Sequence, residues 1–194
     1  GVILAYTRGI LVLYLTVAGI LSGYSYDSPP LKLVYRGVGE LMVGISFGFF
    51  IITGSYYMQT QKVTPEILLI ALPIAILISA VLYINEFPDY EADKAVGKNH
   101  LVVRLGTKKA AVFYSILMTF AYISLLIILV LRILPPIGVV TLLTAPIAFT
   151  AMALTGKYHD RPLELCPANA STILIHFTTG GLISAVFVAT RMMG

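Results

Sequence analysis

Six nearly unbroken apolar runs, each about 20 residues long, constrain this chain more than any other feature, because that is the length at which an α-helix crosses a bilayer core. They lie at residues 2–21, 37–57, 66–86, 110–131, 137–156 and 171–191. Backbone in hydrocarbon must satisfy its own hydrogen bonds, which leaves helices or closed barrels. Barrel strands alternate apolar and polar residues, and these runs do not. The expected fold is therefore an all-α polytopic transmembrane bundle, with residues 1–194 forming a single domain. Composition agrees: 58% of the residues are hydrophobic and 11% charged, where a soluble domain carries about 25% charged residues. With a mean hydropathy of +0.92, soluble, disordered and fibrous chains are excluded.

Breakers separate the runs: Pro29-Pro30, Pro65, Pro88, Pro135-Pro136, and Pro162 with Pro167. There is no internal repeat and no long polar linker. Gly44 and Gly48 form a GxxxG pair, a pattern that lets two membrane helices approach closely. The lone cysteine, Cys166, excludes an internal disulfide and a cysteine-built metal site. The net charge of +4 follows no stripe, so it speaks for anionic lipid headgroups rather than nucleic acid. Nine of the thirteen Lys and Arg residues fall in the loops at 22–36, 87–109 and 157–170. By the positive-inside rule these loops are cytoplasmic in a multi-pass cell-membrane protein. The chain opens within an apolar run, without Met or a signal-peptide pattern, and reads as a cut end.

One loop holds four of the nine acids within eight residues: Asn85-Glu86-Phe87-Pro88-Asp89-Tyr90-Glu91-Ala92-Asp93-Lys94. Pro88 disfavours helix at Phe87, so the span should end near Phe87 and a short helix restart with Pro88 as its first residue. Asn85, Asp89 and Asp93 recur every four positions, the spacing of one helix face. Two carboxylates and an amide on one face suit Mg²⁺, a hard cation usually held by one or two carboxylates plus substrate phosphates. Lys94, Lys98 and Arg104 follow closely, as a diphosphate would require. The competing reading is a solvated loop whose charges pair with one another.

The stretch NEFPDYEADKAVGKNHLVVRLG (85–106) resembles the second aspartate-rich motif of the UbiA superfamily of intramembrane prenyltransferases. It is closest to the dihydroxynaphthoate branch of menaquinone synthesis. SPPLKLVYRGVGELMVGISFGFFIITGSYYMQT (28–60) is similar to a second block of that branch. The resemblance implies a nine-span fold with two aspartate-rich motifs on cytoplasmic loops. Six spans are found here, so the chain reads as the C-terminal two-thirds. It lacks three N-terminal spans and the first motif, and such a piece alone would hold half a metal site and be inactive. The implied reaction ionises an allylic polyprenyl diphosphate and couples the prenyl cation to an aromatic acceptor. Asp89 and Asp93 would be catalytic and carry Mg²⁺, with Asn85 as a third ligand. Lys94, Lys98, Lys32, Tyr35 and Arg36 would bind the diphosphate.

Cation-facing roles near the reacting carbon fall to Tyr24, Tyr26, Tyr56, Tyr57 or Tyr83, against the alternative of an interfacial aromatic belt. Glu40 either orients Arg36 or Lys32 or simply ends a span. His176, near mid-span, is read as bonding a neighbouring helix. His100 stands where the branch often has Thr, and its role stays open. Two other functions compete: transfer of the same donor to a glycerol-phosphate-type lipid acceptor, and a small membrane transporter. Transporters set charges near the midplane, whereas these gather at one face.

Overall fold

The computed structural model describes residues 2–193. Proline sets the start of three long helices: α4 (Pro65–Asn85), α8 (Pro136–Tyr158) and α9 (Pro162–Met193) each open on one. At a first helical position its missing N–H has no intrahelical partner to lose. The other long helices are α2 (Ile10–Asp27), α3 (Gly39–Thr60) and α7 (Thr107–Val130). Among the described residues these six are long and apolar enough to cross a membrane. Among the described residues there are also three short α-helices, α1 (Val2–Arg8), α5 (Tyr90–Ala95) and α6 (Leu101–Leu105), and a 3₁₀ turn at Leu33–Arg36.

The number of spans is as read, but two ends differ. The run at 2–21 is not one helix. It breaks at Gly9, whose φ of +100° lies where side-chain-bearing residues are strained. Helix α2 then continues to Asp27. At the other end, Pro162 opens α9 after the break from α8, but Pro167 does not interrupt it, since the helix runs from the first proline through the second. Pro167 removes one bond, that to the Leu163 carbonyl. Leu163 is 84% exposed, so water can replace the missing donor.

The helices alternate in direction. The turns after Asp27, Asn85 and Tyr158 gather at one end, as three cross-links show. The Glu40 side chain accepts from the Leu101 N–H at 3.0 Å, Asn169 donates to Asn85 at 2.8 Å, and Thr107 Oγ1 lies 3.1 Å from His159 Nδ1. The core lies among α4, α7, α8 and α9. Leu77, Ala80, Tyr83 and Ile84 of α4 meet Ala110, Ala111, Tyr114 and Met118 of α7. Small residues matter here because lipid tails are as apolar as side chains, so close packing rather than water exclusion drives association. Buried hydroxyls finish it: Tyr114 Oη bonds Thr172 Oγ1 at 2.6 Å and Tyr122 Oη donates to Thr144 Oγ1 at 2.8 Å.

The GxxxG pair is a packing device. Helix α3 widens to π-helical geometry over Gly44–Phe50, and Gly44 and Gly48 lie against Ala75 and Ser79 of α4. A Cβ on Gly44 would stand 2.5 Å from Ser79 Oγ, and one on Gly48 would overlap the Ala75 backbone. Gly48→Leu should therefore lower stability by about 1–3 kcal/mol through overpacking, read as a drop in the thermal midpoint in detergent. Gly181→Ala, where no atom lies within 4 Å of the added carbon, should leave the midpoint unchanged.

Candidate active site

Helix α4 ends at Asn85, and Glu86 and Phe87 turn the chain back, their amides donating to Tyr83 and Ile84 carbonyls. The restart comes two residues later than the sequence suggests, at Tyr90. Pro88 and Asp89 lie in the turn instead, closed by the Tyr90 N–H donating to the Phe87 carbonyl at 3.2 Å. The Asp93 N–H then donates to the Asp89 carbonyl at 2.8 Å. That bond sets the two residues one helical turn apart, so their carboxylates share a face. Asp89 is exposed and Asp93 partly buried.

Asp93 is held from two sides. Its Oδ2 accepts from Lys98 Nζ at 2.8 Å and lies 3.0 Å from His100 Nε2. Gly97, with φ +72°, makes the tight return that brings Lys98 back. Lys98 is thus tied to Asp93, while Lys94 stays exposed with Nζ 5.4 Å from the Tyr90 ring centre. The Asn85 side-chain oxygen Oδ1 accepts from Asn169 Nδ2, which also donates to the Ile84 backbone carbonyl at 3.2 Å. Asn169 is a residue the sequence did not single out.

The second block reaches the same end. Leu33–Arg36 forms a 3₁₀ turn. Lys32 Nζ sits 5.4 Å from the Tyr35 ring centre, and Arg36 donates to the Pro30 carbonyl at 3.0 Å. The Arg104 side chain packs close against Gly37, where an added Cβ would meet its Nε at 3.0 Å, so the two blocks touch. Lys32, Tyr35 and Arg36 are all exposed.

Glu40 does not orient Arg36 or Lys32. It is 4% exposed, and its Oε1 accepts the first free N–H of α6, that of Leu101. Glu86 is 5% exposed and His100 wholly buried. His100 Nδ1 lies 3.0 Å from Glu86 Oε2, yet neither atom has an aligned hydrogen-bond partner, and Glu40 Oε2 has none either. Burial, with the Glu40 charge adding to it, pushes the Glu86 carboxyl up to about 7 despite the opposing pull of His100. Burial pulls the His100 imidazole down, but Glu86 and then Asp93 outweigh it and the net direction is upward.

Beneath this end an apolar cavity of about 820 Å³ opens between α2 and α3, lined by Leu15, Ser22, Tyr26, Ser46, Phe47 and Phe50 among others. Its Tyr26 end adjoins the site, since a Cβ on Gly39 would lie 3.3 Å from the Tyr26 ring. Of the five tyrosines considered for a cation-facing role, Tyr26 alone lines this cavity. Tyr83 is wholly buried in the core and donates to the Ala110 carbonyl, and Tyr24 donates to Pro29. Tyr56 and Tyr57 sit near the far end of α3, about 25 Å along the helix from Gly39 at 1.5 Å per residue. His176 makes no hydrogen bond through its buried Nδ1, and lies edge-on to Phe177.

An apolar bundle with an acidic, lysine-bearing loop at one end and an apolar cavity beneath it is the architecture of an intramembrane protein whose charge is gathered at one face. The chain belongs to the UbiA prenyltransferase family, whose model matches residues 1–187, and it is a multi-pass membrane protein. It is 32% identical over 178 residues to a 2-carboxy-1,4-naphthoquinone phytyltransferase of Synechocystis, covering 90% of this chain and 57% of that protein. A 1,4-dihydroxy-2-naphthoate octaprenyltransferase of Haemophilus influenzae is 31% identical, with 93% of this chain and 57% of that protein covered. The corresponding Bacillus subtilis protein is 30% identical, at 87% and 54%. The chain thus spans little more than half the length of these relatives. No solved structure matches it.

Asn169 Nδ2 ties α9 to the end of α4, so Asn169→Ala should remove one donor from the Ile84 carbonyl and one from Asn85 Oδ1. The expected cost is about 1 kcal/mol, with faster amide hydrogen exchange confined to residues 85–90.

Proposed function

We propose that this chain carries the second aspartate-rich site of a Mg²⁺-dependent prenyltransferase, which moves a polyprenyl group from its allylic diphosphate to a naphthoate-type aromatic acceptor. The supporting observation is Asp89 and Asp93 on one helical face, with Lys98 bound to Asp93, at the same end of the bundle as the Tyr26 mouth of the apolar cavity. Relatives named for naphthoate and naphthoquinone acceptors support the acceptor class.

The donor set fits Mg²⁺. Asp89 is free to turn, and Asp93 keeps one carboxylate oxygen clear of the Lys98 and His100 contacts, so both offer hard oxygen ligands. Asn85, whose oxygen already accepts from Asn169, has one lone pair left for a third contact. When bound, the ion would neutralise charge growing on the diphosphate as the carbon–oxygen bond breaks.

The chain's own residues do the rest. Lys94, Lys32 and Arg36 present exposed cations, and Tyr35 a hydroxyl, around the space a diphosphate would fill. Lys98, tied to Asp93, keeps that carboxylate in place and adds positive charge close by. The cavity walls receive the tail, and Phe47, Phe50 and Tyr26 keep water from the prenyl cation while their ring faces stabilise positive charge. The electron pair for the new carbon–carbon bond comes from the acceptor ring, which then releases a proton, or carbon dioxide where a carboxylate stood, from the attacked carbon, while diphosphate leaves with the pair of the broken carbon–oxygen bond.

Asp89→Ala and Asp93→Ala in the intact protein should each lower Mg²⁺-dependent transfer of a labelled prenyl group by at least ~100-fold, the scale of losing a preorganised electrostatic contact. Asp160→Asn should not. Unchanged transfer in the Asp89 variant would sink the proposal, and label appearing on a glycerol-phosphate-type lipid but not on a naphthoate would overturn the acceptor class.

The same reading sets the aspartate loop on the cytoplasmic side. Cys166 is exposed and belongs to that end of the bundle. An impermeant maleimide added to intact cells should leave Cys166 unlabelled and should label Lys62→Cys in a Cys166→Ser background. The opposite pattern would invert the orientation.

A further inference from the structure

Behind the aspartate face, three buried side chains from three segments point at one another. Glu40 comes from the start of α3, Glu86 from the end of α4, and His100 from the residue preceding α6. One ligand atom from each lies within 4.8 Å of the other two. All three residues are more than nine-tenths buried, and Glu40 Oε2, Glu86 Oε2 and His100 Nδ1 are left without an aligned hydrogen-bond partner. Buried polar atoms are nearly always satisfied, so three orphans facing one point call for something between them.

We infer that Glu40, Glu86 and His100 form a binding site for a divalent transition-metal ion of the zinc type, separate from the Asp89–Asp93 pair. Three features carry this. The first is charge. Lys98 is taken by Asp93, and among the described residues no Lys or Arg forms an ion pair with Glu40 or Glu86. Two carboxylates shielded from solvent are unfavourable side by side without a cation between them, and one dication would supply that charge.

The second is the histidine. Its Nε2 faces Asp93 Oδ2 at 3.0 Å, so with the proton on Nε2 it donates to that carboxylate and its Nδ1 lone pair is turned towards the glutamates. A carboxylate on one ring nitrogen and a metal on the other is the usual arrangement of a ligating histidine. The third is spacing. Ligands at about 2.1 Å from a tetrahedral ion stand ~3.4 Å apart. The Nδ1 to Glu86 Oε2 distance of 3.0 Å is already close to this, and the Glu40 ligand atom lies within 4.8 Å of both other residues' ligand atoms. Imidazole among the ligands selects against Mg²⁺ and for zinc-like ions.

Such an ion would pin three segments that converge on the aspartate loop. Glu40 also holds the Leu101 N–H through its other oxygen, and His100 holds Asp93. The ion would thus fix the direction in which the Asp93 carboxylate faces. The site does not depend on the prenyl-transfer reading.

The test is zinc content and affinity of the tag-free full chain in detergent. Wild type should retain one equivalent of Zn²⁺ per chain through gel filtration, and millimolar Mg²⁺ should not displace it. Glu40→Gln and Glu86→Gln should each weaken Zn²⁺ binding at least tenfold. Asp93→Ala, which removes the partner of the imidazole, should weaken it about 10- to 100-fold, and Asp89→Asn should leave it unchanged. X-ray absorption on zinc-loaded wild type should show one imidazole and two carboxylate ligands, a measurement that no folding defect can mimic. Wild type without stoichiometric zinc, displacement by Mg²⁺, or a zinc shell lacking imidazole would each overturn the inference. Prenyl transfer is assayed separately with the Asp89 variant, so failure of one reading leaves the other standing.

Discussion

The near-contact of α3 with α4 is the constraint on which the rest of the structure depends. Gly44 and Gly48 bring the α3 backbone down on Ala75 and Ser79 with no room for a side chain. Ser79 Oγ donates both to Ala75 within its own helix and, at 2.7 Å, to the Glu40 carbonyl across the interface. Glu40 lies one turn before Gly44 on the same face. The crossing that removes two Cβ atoms therefore delivers a carboxylate to the end of α4, beside Glu86. A bulkier α3 would stand farther off, and Glu40 could not reach Leu101.

Electrostatics at this end follow from where the hydrocarbon stops. Charges in the bilayer core are costly, and those of this chain sit mostly at helix ends. Asp89, Lys94, Lys32 and Arg36 lie where water or a charged ligand reaches them. Glu40, Glu86 and His100 do not. Their shielding from solvent makes an uncompensated pair of carboxylates unfavourable, and the upward shift of Glu86 expresses that penalty. Two layers result: an outer layer of exposed charge, and an inner layer of buried charge joined to it through the His100–Asp93 contact.

Much of the architecture was legible because a bilayer imposes a length on apolar runs. The six spans were readable for that reason, as were Asp89 and Asp93 on one face, since a four-residue interval means one helical turn wherever a helix forms. Boundaries were less legible. Gly9 broke a run that is apolar apart from Thr7, Arg8 and Thr16, because one backbone angle decides the break. Pro167 failed to break α9 because the helix end it weakens is open to solvent. Pro88 went into the turn rather than opening the next helix.

What the sequence determined alone was local or compositional: the bundle, the number of spans, the gathering of charge at one end and the spacing of the aspartates. Tertiary structure alone decided the partners. Glu40 meets Leu101 across 61 residues and Asn169 meets Asn85 across 84, and no periodicity encodes such pairings. They arise from which helix faces pack together, and that depends on small residues such as Gly44, Gly48 and Ala75 acting jointly. The same packing buried Glu40, Glu86 and His100 together, turning two span-end acids and a loop histidine into a single cluster.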